Sequence, residues 1–145
     1  MEKTTSQSEK ETQDIGFNLA KNLKGGEVVA LMGNLGAGKT IFTKGLARGL
    51  GVKKIITSPT FILMKAYKIK HDKIENFIHV DAYRLKNERD LREIGLIDWL
   101  GKENSVVVIE WAEKVKKILP KTTTWVKIKS GKGETERTID KISKI

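Results

Sequence analysis

"EVVALMGNLGAGKT", residues 27–40, decides the fold of this chain. The apolar run at 28–32 shows no polar alternation, so it reads as a strand covered on both faces, the kind found in parallel sheets. It runs straight into a glycine-rich loop. Beyond the loop, Ile41, Phe42, Leu46 and Leu50 recur at helical spacing until "GLG" at 49–51 closes the segment. Strand, loop and helix in that order are the setting a phosphate-binding loop requires, and Gly33, Gly38, Lys39 and Thr40 satisfy G-x-x-x-x-G-K-[ST] in full. Glycines at 33, 36 and 38 let the backbone bend so that successive N–H groups converge on phosphate oxygens, and the helix N-terminus adds its partial positive charge. Lys39 then reaches the outer phosphates, and the Thr40 hydroxyl can coordinate Mg²⁺.

Upstream, Ser8 and Glu11 have capping-box spacing, and Ile15, Leu19 and Leu23 line one face of a helix that Gly25 and Gly26 end. Downstream, "TSPTF" at 57–61 is a loop, because Pro59 pushes Ser58 toward extended geometry. "FILMKAYKIK" and "KIENFIHVDAYR" flank the polar "HDK" at 71–73 as the strands of a β-hairpin would. "NERDLREIGLIDWL" predicts a helix capped by Asn87, with Leu91, Ile94 and Ile97 toward one face and a bend near Gly95. "SVVVIEW" is a second buried strand, followed by a short basic helix, "AEKVKKIL", that Pro120 stops. The tail predicts two strands around Gly131 and Gly133. With no internal repeat or linker, residues 1–145 read as a single α/β domain of the P-loop NTPase fold: a mostly parallel central sheet flanked by helices, with β-hairpin additions.

A triphosphate site also needs carboxylates for the metal and the attacking water. Two strand ends offer them, Asp81 after "FIHV" and Glu110 after "VVVI", and either can be the Walker-B acid; the more central look of "VVVIE" favours Glu110 at the metal. In the hydroxyl loop, Thr60 is the candidate sensor of the γ-phosphate and Thr57 the reserve, beside the plain reading of a proline turn capped by hydroxyls. Arg84 is either an arginine finger supplied in cis or a surface ion pair. Trp111 packs over the site, over a partner or into the core. His79 and His71 read as packing and solvent-facing residues.

Composition narrows the classes. With 39% hydrophobic and 32% charged residues the chain is globular. It has no cysteine and two histidines, which leaves no thiolate chemistry and no familiar zinc motif, so any metal should be hard and oxygen-liganded. The longest apolar runs are far short of a membrane span and the first residues lack the core of a signal peptide, so the expected address is cytoplasmic. The net charge of +10 is spread along the chain with acids between the lysines and only 6% aromatics, which reads as a solvated basic surface or as a polyanion contact. A guanine-reading Asn-Lys-x-Asp is absent, and no arginine-rich lid suggests a second small substrate.

"GNLGAGKT", "SPTF", "HVDAYR" and "IEW", in this order and at these intervals, resemble the TsaE (also called YjeE) family, small bacterial ATPases needed to make N6-threonylcarbamoyladenosine (t6A) in tRNA. The resemblance runs from about residue 12 to the C-terminal hairpin. It implies a protein that binds ATP with Mg²⁺, hydrolyses it slowly and joins TsaB and TsaD, the pair that transfers the threonylcarbamoyl group onto adenosine 37. The ATPase does not itself make that transfer and is thought to act on the complex between turnovers. Carried over by motif, Leu35, Gly36, Ala37, Gly38, Lys39 and Thr40 would hold the phosphates, Thr40 and Glu110 the Mg²⁺, and Asp81 would assist hydrolysis together with Lys39. "SPTF" would be a switch-like loop, Trp111 a functional neighbour of Glu110, and Thr12 a nucleotide contact near the adenine side. Two departures, Asn34 for the usual aspartate and Ile41 for a second threonine, leave the phosphate geometry and the metal ligand intact. The rival readings are a small-molecule P-loop kinase and a basic RNA-binding module with a structural nucleotide site. The expected oligomeric state is a monomer or a weak self-associate, and contact with tRNA, direct or indirect, is left open.

Overall fold

The computed structural model describes residues 2–34, 36–57, 64–85, 88–93 and 95–142. Leu35, the loop residues at 58–63 with Thr60, the Asn87 cap and Ile94 lie outside the described residues. The strand at the centre of the sequence argument is also the centre of the sheet. It is β2 (Val28–Met32), flanked in parallel by β5 (Ser105–Glu110) and β6 (Thr124–Ser130), with β4 (Ile74–Asp81) parallel to β5 on its far side. Antiparallel strands complete both ends: β3 (Met64–His71) pairs with β4, β7 (Arg137–Ile142) with β6, and β1 (Glu2–Ser6) with β7. The order across this seven-stranded sheet is β1-β7-β6-β2-β5-β4-β3, a mostly parallel centre with hairpin additions as expected.

The unbroken apolar character of β2 follows from burial on both faces. Val29 and Leu31 join the core beneath helices α1 (Glu9–Ala20) and α2 (Lys39–Gly49), while Val28 and Ala30 join a second core on the other side. The Ser8 side chain caps α1 by accepting from Glu11 N–H at 3.1 Å, and Glu11 Oε2 accepts from Gln7 N–H at 2.6 Å. The two helices pack backbone to backbone, because a Cβ at Gly16 would sit 2.3 Å from Phe42 O and one at Gly45 1.9 Å from Gln13 O. That close approach fixes the first turn of α2 relative to the sheet.

The second face is covered by less regular chain. Helix α3 spans Glu88–Glu93; beyond it Gly95 is left-handed, with φ of 86°, and starts a 3₁₀ turn at Leu96–Asp98. The bend near Gly95 is as the sequence predicts, but it ends the helical period, so Leu96 is fully buried and Ile97 is 47% exposed rather than facing inward. The basic segment Ala112–Ile118 is 3₁₀ rather than α-helical, with a break at Val115. Its apolar residues recur every third position, Ala112, Val115 and Ile118, and the three-residue turn places all three on the core side. Strand β1 was not read from the sequence. Four of its five residues are exposed, and it is held by its backbone ladder to β7 rather than by an apolar face. Among the described residues, no helix is long and apolar enough to cross a membrane.

Candidate functional site

The site forms at the carboxyl ends of β2, β5 and β4, where the loop from β2 turns into α2. Gly33 is needed there for space: a Cβ would lie 2.5 Å from Ile128 O and 3.2 Å from the Ala37 methyl. Gly38, with φ of 108°, supplies the left-handed turn that starts α2, and no side chain caps this helix end. Its first N–H groups are thus left for another acceptor.

Lys39, the first residue of α2, is only 5% exposed. Its Nζ donates to Gly33 O at 2.5 Å and to Asn34 O at 2.9 Å, and it stands 3.9 Å from the centroid of the Trp111 ring. Burial pushes its pKa below that of a free lysine, opposed by the negative charges of Glu110, Glu113 and Asp81. The ammonium is therefore a desolvated charge held by carbonyls and a π-face, the environment in which attraction to a phosphate is strongest.

Thr40, next in the helix, donates from Oγ1 to Glu110 Oε1 at 2.8 Å. Glu110 ends β5 and is 3% exposed; its other oxygen, Oε2, lies 2.5 Å from His79 Nε2. In the parallel ladders Leu31, Glu110 and Asp81 stand in one row across β2, β5 and β4, so both strand-end acids arrive on the helix α2 side of the sheet. Asp81 is half-buried, and its Oδ1 accepts from Tyr83 N–H at 2.9 Å, which fixes the turn after β4. The Tyr83 and Trp111 rings pack with centroids 4.8 Å apart. Trp111 takes a left-handed conformation, φ 60°, which turns the chain off β5 and brings the indole back over Lys39.

Other residues flank the loop. Thr12 is 2% exposed, with its hydroxyl 2.7 Å from Ser6 Oγ, and its methyl stands 3.9 Å from where a Gly38 Cβ would be. Arg137 donates from Nη2 to Gly36 O at 3.2 Å and from Nη1 to Glu134 O and Glu136 O at 2.9 and 2.8 Å. The tertiary structure thus brings Thr12, Gly36, Ala37, Gly38, Lys39, Thr40, Asp81, Glu110 and Trp111 into one neighbourhood. Arg84 and Thr57 are exposed, and Thr57 accepts from Lys65 Nζ at 3.2 Å.

Two residues of the site were not assigned to it from the sequence. His79 is fully buried, as a packing role requires, yet it bonds to Glu110. The available signal was its position two residues before Asp81, hence on the same strand face. Arg137 carries no signal at all in the sequence. Among the described residues no three His, Asp or Glu side chains converge as a protein-only metal cage. The Thr40 hydroxyl and Glu110 carboxylate are instead a pair of hard oxygen donors, a set that fits Mg²⁺, which takes few protein ligands and completes its shell with water and phosphate.

A sequence model described as "Threonylcarbamoyl adenosine biosynthesis protein TsaE" matches residues 6–139. A relative from Bacillus subtilis (strain 168), named tRNA threonylcarbamoyladenosine biosynthesis protein TsaE, is 39% identical over 129 residues, 89% of this chain and 77% of the relative. A protein of the same name from Treponema pallidum (strain Nichols) is 40% identical over 124 residues, 86% of this chain and 88% of the relative. Among solved structures, the crystal structure of YdiB from Bacillus subtilis is similar with a TM-score of 0.77 and 33% identity, covering 95% of this chain and 82% of that one.

Proposed function

The chain belongs to the TsaE family, and from that premise we propose that it is an accessory ATPase of tRNA modification, one that binds ATP with Mg²⁺, hydrolyses it slowly and serves t6A formation at adenosine 37 with TsaB and TsaD. The observation that carries the nucleotide half of this reading is the bond from Thr40 Oγ1 to Glu110 Oε1, which joins the phosphate loop to the end of β5. A hydroxyl beside a carboxylate supports the reading, because a phosphate-bound cation takes both as ligands.

In this reading, backbone N–H groups from Gly36 to Thr40 donate to the phosphate oxygens at the open end of α2, with Ala37 N–H leaving Asn34 O, its present acceptor at 3.0 Å. Lys39 gives up its bonds to Gly33 O and Asn34 O for the outer phosphates, and Trp111 keeps water from its other side. Thr40 and Glu110 would hold Mg²⁺, which would supply positive charge to offset that of the phosphates. Asp81, beside Glu110 in the next strand, orients the attacking water. One of its oxygens already accepts from Tyr83 N–H. Slow hydrolysis by the isolated chain is part of this reading, with the partner complex completing the orientation of the water. The same reading puts the chain with tRNA and its modifying enzymes in the cytoplasm.

The test is ATP hydrolysis by the purified chain, alone and with TsaB, TsaD and tRNA, using Lys39→Ala as the blank. Stimulation by the complex that disappears in the blank supports the reading; hydrolysis indifferent to the complex overturns its tRNA half.

A further inference from the structure

We propose that His79 is a positioning residue of the nucleotide site, holding Glu110 through Nε2 so that the other carboxylate oxygen is the one turned to Thr40. The inference deepens the proposed function and rests on its reading of Glu110 as a metal ligand.

The imidazole is fully buried within a strand whose neighbours Phe77, Ile78 and Val80 are also fully buried. Its ring lies 6.5 Å from the Phe77 ring, centroid to centroid, with the planes 29° apart. An apolar side chain of similar size would fill the same space. Histidine instead leaves Nδ1 buried with no hydrogen-bond partner among the described residues, a cost that packing alone does not justify. What the ring does satisfy is Glu110 Oε2, at 2.5 Å. A carboxylate only accepts, so the proton of this bond sits on Nε2.

The two bonds on Glu110 divide its oxygens. With Oε2 tied to β4, the side chain cannot rotate freely, and Oε1 is left facing the first turn of α2, where Thr40 meets it at 2.8 Å. Loss of the His79 bond frees the carboxylate to turn and leaves one buried oxygen without a partner. The cost falls first on whatever uses Glu110 and Thr40 together. Partners that orient a metal ligand in this way usually matter about 10–100-fold to metal affinity.

The experiment reads the gain in ATP affinity that Mg²⁺ confers, by titrating a non-hydrolysable ATP analogue with Mg²⁺ and again with EDTA, in the wild-type chain, His79→Leu and His79→Gln. Metal-free affinity is measured in each variant, so that the Mg²⁺-dependent gain is a ratio taken within that variant. The Mg²⁺-dependent gain should shrink by about 10–100-fold in His79→Leu and largely return in His79→Gln, whose amide N–H₂ stands close to the position of Nε2. His79→Asn, polar but too short to reach Glu110, should behave as His79→Leu and serves where the leucine variant does not fold. A full gain in His79→Leu, or in His79→Asn where that variant stands in, overturns the inference, as does a glutamine variant no better than leucine or asparagine. A wild-type chain with no Mg²⁺-dependent gain overturns the metal reading itself and this inference with it.

Discussion

Thr40 Oγ1 donates to Glu110 Oε1 at 2.8 Å, linking two residues 70 positions apart in the chain. The bond joins the first turn of α2 to the last residue of β5, so the phosphate loop and the acidic strand end are parts of one site. Glu110→Gln keeps an acceptor for Thr40 and removes the charge. Turnover should fall by about 10²-fold or more, with metal-free nucleotide binding unchanged; a rapid-quench or coupled assay showing wild-type hydrolysis would return Glu110 to a structural role.

Lys39→Ala removes the charged donor but none of the backbone cradle. A charge-assisted bond of about 1.5–3 kcal/mol corresponds to a loss of roughly 10–150-fold in ATP affinity. The truncation also leaves Gly33 O and Asn34 O without their donor, so Tm should fall by about 2–4 °C. Calorimetric titration and a melting curve on the same sample check both halves.

Asp81→Asn separates two duties of one side chain. The amide oxygen can still accept from Tyr83 N–H, as Oδ1 does now, so the turn after β4 should persist. Loss of the carboxylate should lower hydrolysis by about 10²-fold or more with a much smaller effect on binding. Equal losses in affinity and turnover would instead make Asp81 a binding residue.

Arg137→Lys keeps the charge and loses the fork that reaches Gly36 O together with Glu134 O and Glu136 O. The expected outcome is a loss of about 1 kcal/mol, roughly fivefold in ATP affinity, from a looser phosphate loop. Unchanged affinity by titration would confine this arginine to the β6–β7 turn.

Gly45→Ala tests how the site is held from behind. The new methyl would meet the backbone of Gln13, with O at 1.9 Å and C at 2.5 Å, and neither can step aside as a side chain could. Forcing α1 and α2 apart should cost about 1–3 kcal/mol and lower Tm by roughly 3–10 °C. Since α2 carries Lys39 and Thr40, ATP affinity should drop as well. An unchanged Tm would mean that the helices slide without loss.

The sequence by itself determined the elements whose causes are local. The buried run at 28–32, the glycines that admit left-handed backbone, the helical period after Thr40 and the Ser8–Glu11 cap are each written within a few adjacent residues, and the central sheet, α2 and the capped start of α1 formed as they dictate. The order of "GNLGAGKT", "SPTF", "HVDAYR" and "IEW" was enough to identify the family. Only the tertiary structure decided how those pieces meet. Register in the parallel ladders set Asp81 beside Glu110, and chain folding brought His79 to Glu110 and Arg137 to Gly36 across 31 and 101 positions. Contacts of that range depend on the packing of whole elements, so they leave no period, cap or turn residue to read. Strand β1 escaped for a related reason: it adds to the sheet edge through backbone hydrogen bonds, which any residue but proline can make.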